Sequence, residues 1–164
     1  MSKKIIGNVY LINLYLKRLP DILKDITAVS GHFNCSFNKL TSLIGAPSNV
    51  GGHFDCNYNK LTTLAGAPTS VGVDFFCEHN KLTSLEGAPI SVGGHFDCSY
   101  NNLTSLTGAP KTVGGDFFCY NNKLTSLTGA PKTVGRHFHC FDNTVQFTEQ
   151  QVRAVCDVKG IVYV

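Results

Sequence analysis

Apolar residues recur along the chain in one pattern that repeats at a fixed interval. The pattern is G-x-F-x-C-x-x-N-x-L-T-S-L-x-G-A-P-x-x-V-G. Its copies begin at Gly31, Gly52, Val73, Gly94, Gly115 and, in a decaying form, Arg136. A fixed period of about 20–50 residues is typical of arrays in which each unit buries its apolar face against the next. The sequence therefore predicts a repeat solenoid over most of the chain.

Phe and Cys alternate with other residues at the start of every copy. Such alternation is typical of a strand with one buried face, so Phe and Cys are predicted to point inward. So short a strand pairs with its equivalent in the next copy, which gives a parallel sheet with strands about 4.8 Å apart. Because glycines and the Gly-Ala-Pro turn exclude a helix, the return path is predicted to be extended or 3₁₀.

An asparagine lies three residues after each of the six cysteines in the repeats, from Asn38 to Asn143. A buried amide at this corner is expected to hydrogen-bond backbone groups of its own and adjacent turns. Left unpaired, such groups would cost about 1–3 kcal/mol each.

The segment F-x-C-x-x-N-x-L-x-x-L resembles the leucine-rich repeat, L-x-x-L-x-L-x-x-N/C-x-L, with Phe and Cys in place of two leucines. The N-x-L-T-S-L part is similar to the short repeats of bacterial and phage leucine-rich-repeat proteins. The resemblance covers about residues 10–147. It implies a mainly parallel β solenoid of about seven coils whose concave face binds other proteins.

The same pattern, shifted back by one repeat, fits the apolar skeleton of 10–30. Ile12 then takes the Phe position, Leu14 the Cys position, Leu19 and Ile22 the two Leu positions, and Val29 the Val position. Residues 1–30 are thus predicted to be a divergent first repeat that caps the core. Whether 1–9 add an edge strand or stay loose is left open.

The pattern also ends at 147. Thr148 and Gln151 have the spacing of a capping box, which predicts a helix over about Glu149–Val158 that Gly160 ends. A closing strand is expected at Ile161–Val164. The chain is therefore predicted to be one domain, with regular repeats over 31–147 and a helix–strand cap over 148–164.

Composition limits the classes of partner and the cellular compartment that the sequence predicts. The formal net charge of +3 is too small to indicate nucleic-acid binding. The apolar run at the N-terminus lacks the features of a signal peptide, and no stretch is long enough to span a membrane. Six of the seven cysteines share one repeat position, which favours a ladder of buried thiols over disulfides and hence a reduced, cytoplasmic setting.

Candidate chemistry lies in the outward positions before Phe, between Phe and Cys, and after Cys, because these vary between copies. They carry acids, histidines and aromatics with almost no Lys or Arg, which argues against a nucleic-acid groove and favours contact with another protein. The predicted partner-binding residues are His53, Asp55, Asp74, Phe76, Glu78, His95, Asp97, Asp116, Phe118, Tyr120, His137, His139 and Phe141.

No catalytic residue, metal site or cofactor is predicted, because side chains spread along a flat ladder do not converge on one ion. A non-catalytic binding module is therefore the leading hypothesis. The alternatives are a self-assembling structural protein and, last, an enzyme or metal protein that uses the His/Asp pairs.

Overall fold

The chain forms a parallel β-solenoid of eight coils in a computed structural model that describes residues 3–164. Two eight-stranded parallel sheets run along it, with strand orders β1-β3-β5-β7-β9-β11-β13-β15 and β2-β4-β6-β8-β10-β12-β14-β16, and we call them the Val sheet and the Phe sheet. The Val sheet contains β1 Lys3–Ile5, β3 Ile26–Val29, β5 Asn49–Val50, β7 Ser70–Val71, β9 Ser91–Val92, β11 Thr112–Val113, β13 Thr133–Val134 and β15 Asp157–Val158. The Phe sheet contains β2 Val9–Tyr10, β4 Phe33–Asn34, β6 Phe54–Asp55, β8 Phe75–Phe76, β10 Phe96–Asp97, β12 Phe117–Phe118, β14 Phe138–His139 and β16 Val162–Tyr163.

The Phe sheet confirms the predicted parallel stacking, since Phe54 pairs with Phe75 and Phe75 with Phe96. The second sheet was not predicted. The sequence predicted only that the return path, which contains the Val residues, is extended or 3₁₀. Because the coils stack in register on the Phe side, the return segments also come within hydrogen-bonding distance, and β-branched Val suits a strand.

The core is a set of columns that run the length of the solenoid. The Phe, Cys and Leu positions of the regular repeats are almost wholly buried, as is the Val position. The Phe rings stack with centroids 5.0–5.7 Å apart. Burial of such side chains contributes about 1.5–3 kcal/mol each, so these columns are the main source of stability.

The asparagine column joins neighbouring coils as predicted. Asn80 is typical: its Oδ1 accepts from the Leu61 N–H at 2.9 Å. Its Nδ2 donates to the carbonyls of Cys56 in the preceding coil at 3.0 Å and Cys77 in its own coil at 3.1 Å. One amide thus satisfies buried backbone groups of two coils.

The register predicted for the first repeat is wrong. Val9, not Ile12, pairs with Phe33, so the first Phe-sheet strand lies three positions earlier than the repeat predicts, while Val29 pairs with Val50 as expected. The extra residues therefore lie on the path between Val9 and Val29, and a 3₁₀ helix at Asp21–Leu23 accommodates them. As a result Ile12, Leu14 and Ile22 are exposed, and Leu23 is buried instead.

Lys3–Ile5 form the added edge strand β1, and β16 adds a strand at the other end, so an edge strand forms within 1–9, of which residues 1 and 2 lie outside the described part of the chain. The coil count is accordingly eight rather than about seven.

The C-terminal cap forms with a shorter helix than predicted. Helix α1 spans Glu149–Val155, and Thr148 and Gln151 make the predicted capping box. It ends before Cys156 because the following residues become β15, whose Val158 is buried beside Val134. The closing strand is confirmed as β16. None of the helices in residues 3–164 has the length and apolar composition of a membrane span.

Candidate binding surface

All thirteen predicted partner-binding residues lie on the outer side of the Phe sheet, which we call the Phe-sheet face. Asp74 and Asp116 are buried, and the other eleven are half-buried because side chains of adjacent coils cover one another. The strands of this sheet pair in parallel and in register, so each of these residues lies beside the equivalent residue of the next coil. The predicted residues therefore share one sheet surface.

The column before Phe is a ladder of hydrogen bonds to the backbone. Its side chains accept from the backbone N–H of the next coil, as Asp74 Oδ1 does from His95 at 2.6 Å and His95 Nδ1 does from Asp116 at 3.0 Å. Asp116 Oδ1 continues the ladder by accepting from His137 at 2.8 Å. These residues thus have a role in the fold, which their alternation in sequence did not reveal.

Two His–Asp pairs lie within this ladder. His53 Nδ1 is 2.8 Å from Asp74 Oδ2 but makes no hydrogen bond within residues 3–164. His95 Nδ1 is 3.2 Å from Asp116 Oδ2. The cysteines are buried in the core on the other side of the sheet, so their thiols cannot act with these pairs as nucleophiles.

The column between Phe and Cys alternates acids with aromatics over four coils: Asp55, Phe76, Asp97 and Phe118. Each aspartate accepts from a backbone N–H two residues on, Asp55 from Asn57 at 3.1 Å and Asp97 from Ser99 at 2.8 Å. Desolvation by burial nevertheless raises the pKa of both carboxyls above the usual range.

The column after Cys contains an amide–carboxyl pair that uses only part of its hydrogen-bonding capacity. Asn57 Nδ2 donates to Glu78 Oε1 at 2.6 Å, while Asn57 Oδ1 and Glu78 Oε2 are buried without a donor from residues 3–164. Burial, followed by the charge of Asp97, raises the pKa of Glu78 to about 7. Two oxygen acceptors at the centre of the face are thus buried without a hydrogen-bond donor from residues 3–164.

Basic side chains do not neutralise the central acids. Within residues 3–164, none of the ion pairs formed by Lys, Arg or His includes Asp55, Glu78 or Asp97. On this face the carboxylates that lie close to a basic side chain are Asp74, beside His53, and Asp116, beside His95 and Arg136.

Aromatic side chains dominate the C-terminal part of the face. His139 stacks between Phe118 at 4.6 Å and Tyr163 at 4.5 Å, and Tyr120 stacks on Phe141 at 4.6 Å. Desolvation by burial lowers the pKa of His139 below 6.5, so its ring favours the neutral form. Tyr163 was absent from the predicted set because its place on the sheet depends on the register of β16.

A shallow groove of about 220 Å³ lies near the N-terminal end of the face. Predicted residues His53, Asp55 and Phe76 line it together with Tyr10, His32 and Asn34. A carboxylate beside an aromatic ring in a groove of this size can hold one cationic side chain.

A further aromatic column, which was not predicted, lies at the corner where the Phe strands end. Phe37, Tyr58, His79 and Tyr100 stack with centroids 4.2–4.4 Å apart. All four have left-handed φ between 49° and 54°, a conformation that is costly for such residues. Their recurrence immediately before the column asparagine was the available signal.

The cysteine column is buried and contains no disulfide in the structure. Thiols donate to carbonyls of the next coil, as Cys77 Sγ does to Asp97 O at 3.1 Å. Desolvation raises the pKa of every cysteine, to about 11 at Cys140 and Cys156. Among residues 3–164, no three His, Cys, Asp or Glu side chains are arranged to hold a metal ion.

A comparison of the sequence with known protein families finds no family that matches, and a comparison with curated proteins finds no match either. The class defined by the structure is accordingly a parallel β-solenoid with an acidic and aromatic sheet face.

Proposed function

We propose that this protein is a non-catalytic binding protein that holds another protein on its Phe-sheet face. The observation that carries the proposal is the combination of half-buried aromatics with unpaired carboxylates on one in-register sheet. Aromatic anchors dominate binding energy in protein interfaces. Because sheet hydrogen bonds and stacking fix these side chains beforehand, little conformational entropy is lost on binding.

We assign the chain to a short leucine-rich-repeat type similar to bacterial and phage proteins, on the strength of its N-x-L-T-S-L segments. The row of buried thiols supports a reducing, cytoplasmic setting. Such a protein would modulate or inhibit its partner by covering it. We expect neither nucleic acid nor a membrane to be the partner, since the face offers acids rather than phosphate-binding cations.

The test is capture of a partner from the native cell type, with the protein immobilised. A triple variant with Ala at Phe76, Phe118 and Tyr120 should lose the partner while keeping its circular dichroism spectrum. The matched control places Ala at exposed Ser70, Ser91 and Thr112 on the Val sheet and should retain it. Equal capture by both variants would contradict use of the Phe-sheet face.

A second candidate function is self-assembly through the N-terminal coil, because the two ends differ. At the C-terminal end, Arg153 of α1 donates to the carbonyls of Val158 at 2.7 Å and Gly160 at 2.8 Å, which blocks the Val-sheet edge. At the other end Leu14 and Tyr15 are exposed beside an edge strand.

Light scattering separates this candidate from the first. Oligomers that grow with concentration, persist with Phe118→Ala and Tyr120→Asp, and vanish with Leu14→Asp would favour assembly through the ends. An enzyme that uses the His–Asp pairs is the least supported function. Measured turnover that was lost on His53→Ala or His95→Ala without loss of folding would favour it instead.

A further inference from the structure

We propose that the Phe-sheet face recognises a polyproline II segment of its partner that carries an arginine at every third position. This inference rests on the proposed function and specifies the partner's chemistry. It follows from three observations on the face: the sign of its unpaired charges, the spacing of its acids, and the aromatics between them.

Charge sets the chemistry of the partner. Asp55, Glu78 and Asp97 lie on adjacent coils and form no ion pair within residues 3–164. Asp55 and Asp97 accept hydrogen bonds only from neutral groups of the fold, Asn34 and Asn57 for the first and Ser99 for the second, so their negative charge is not neutralised there. A ligand rich in N–H donors and positive charge would complement this part of the face. Guanidinium groups supply both and bind carboxylates with two parallel hydrogen bonds.

Spacing sets the conformation of the partner. Asp55 and Asp97 are two strands apart in one column, with Phe76 between them. At about 4.8 Å per strand, their backbones are about 9.6 Å apart along the solenoid axis. A polyproline II helix rises about 3.1 Å per residue with three residues per turn, so residues i and i+3 point the same way about 9.3 Å apart.

Other regular conformations fit less well. In an extended strand, residues i and i+2 share a face at about 6.6 Å, and i and i+3 point to opposite sides. In an α-helix, residues i and i+4 are about 6 Å apart along the axis, and i and i+7 about 10.5 Å. The two-strand period of the face therefore matches polyproline II best.

The aromatics complete the match. Phe76 lies between the two aspartates and Phe118 follows Asp97, so each acid has a ring one strand further on. Polyproline II ligands characteristically dock on aromatic surfaces, and guanidinium groups pack favourably on aromatic rings. The groove lined by Asp55, His53 and Phe76 provides a place for the first arginine.

The experiment uses the full chain and synthetic peptides in isothermal titration calorimetry at low and physiological salt. One peptide repeats Pro-Pro-Arg. The second has the same length and composition, but its arginines are either adjacent or two residues apart, so the three-residue spacing is lost. We expect the first to bind at least tenfold more tightly. We also expect Asp55→Asn with Asp97→Asn to weaken that binding at least tenfold.

The matched control removes two acids elsewhere, through Asp25→Asn with Glu86→Gln, both of which are exposed. This control should bind the Pro-Pro-Arg peptide like the parent protein. If both peptides bind equally, or the control loses as much affinity as the face variant, the attraction is general and the inference is overturned.

If neither peptide binds, the inference is also overturned. The capture experiment then shows whether the proposed function still holds. A partner still captured in a manner that depends on Phe76, Phe118 and Tyr120 would leave the proposed function intact with a partner of other chemistry. If peptide binding and face-dependent capture were both absent, the proposed function would be contradicted as well.

Discussion

Adjacent asparagines in one repeat provide a direct test of how the coils are joined. Asn101 points inward, and its side chain bonds Leu82 N–H at 2.9 Å and the carbonyls of Cys77 and Cys98 at 3.1 Å. Asn102 lies on the outside, and its side chain makes no hydrogen bond within the described residues. Asn101→Ala and Asn102→Ala therefore make the same chemical change at neighbouring positions.

The expected cost of Asn101→Ala follows from what each partner loses. Leu82 N–H is left buried without an acceptor, at a cost of about 1–3 kcal/mol. The Cys77 and Cys98 carbonyls keep one amide donor each, from Asn80 and Asn122, so each loses only about 0.5–1.5 kcal/mol. The free energy of unfolding should fall by about 2–6 kcal/mol.

Urea denaturation followed by circular dichroism measures both variants against the parent protein. Asn102→Ala should change the free energy of unfolding by less than about 0.5 kcal/mol, as is usual for surface substitutions. If Asn101→Ala falls within about 0.5 kcal/mol of Asn102→Ala, the asparagine column does not join the coils as described.

Three further predictions concern the acid at the centre of the face, the thiols and the packing of the coils. Because the folded-state pKa of Glu78 is raised to about 7, the stabilisation from its protonated form is complete below its ordinary value of 4.5 and lost as pH rises through about 7. Glu78→Gln should therefore gain stability relative to the parent between pH 5 and pH 8 in denaturation measured across that range, and a pH-independent difference would contradict this. Thiol labelling at pH 8 should be much slower in the native protein than in denaturant, with Cys140 and Cys156 reacting first because their pKa values are the least raised; prompt labelling of all seven would contradict burial of the column. Gly72→Ala should lower the free energy of unfolding by about 1–3 kcal/mol, because its new Cβ would collide with the Gly51 carbonyl of the preceding coil; Ser70→Ala in the neighbouring exposed position is the control, and equal stability of the two would show that the coils tolerate a wider spacing.

The periodic part of the fold was predictable because every copy has the same apolar side chains to bury and the same backbone groups to hydrogen-bond. The inward Phe and Cys residues, the asparagine bonds and the capping box at Thr148 all follow from local patterns. The second sheet did not follow from them. Two-residue strands such as Ser91–Val92 carry no alternation of their own, and they exist only because neighbouring coils bring the same segment alongside.

The first coil shows where periodicity misleads. Ile12, Leu14 and Ile22 continue the apolar pattern of the repeats, yet all three are exposed. The register that forms places Val9 beside Phe33 and needs only a longer return path, which the 3₁₀ helix at Asp21–Leu23 supplies. Since both registers bury apolar residues, the pattern alone could not choose between them.

Face residues were predictable in position but not in role. Alternation placed Asp74 and His95 on the outer side of the Phe sheet, but their side-chain bonds to backbone N–H groups of the next coil, and the burial of Asp74, appear only when two coils are stacked. The same stacking leaves Asp55, Glu78 and Asp97 half-buried and without cationic partners among residues 3–164. Carboxylates of both groups accept hydrogen bonds within the fold, but those of the second group have no basic side chain beside them and stand to gain most from a cationic ligand. Binding should therefore depend on the columns after Phe and after Cys more than on the His/Asp column before Phe.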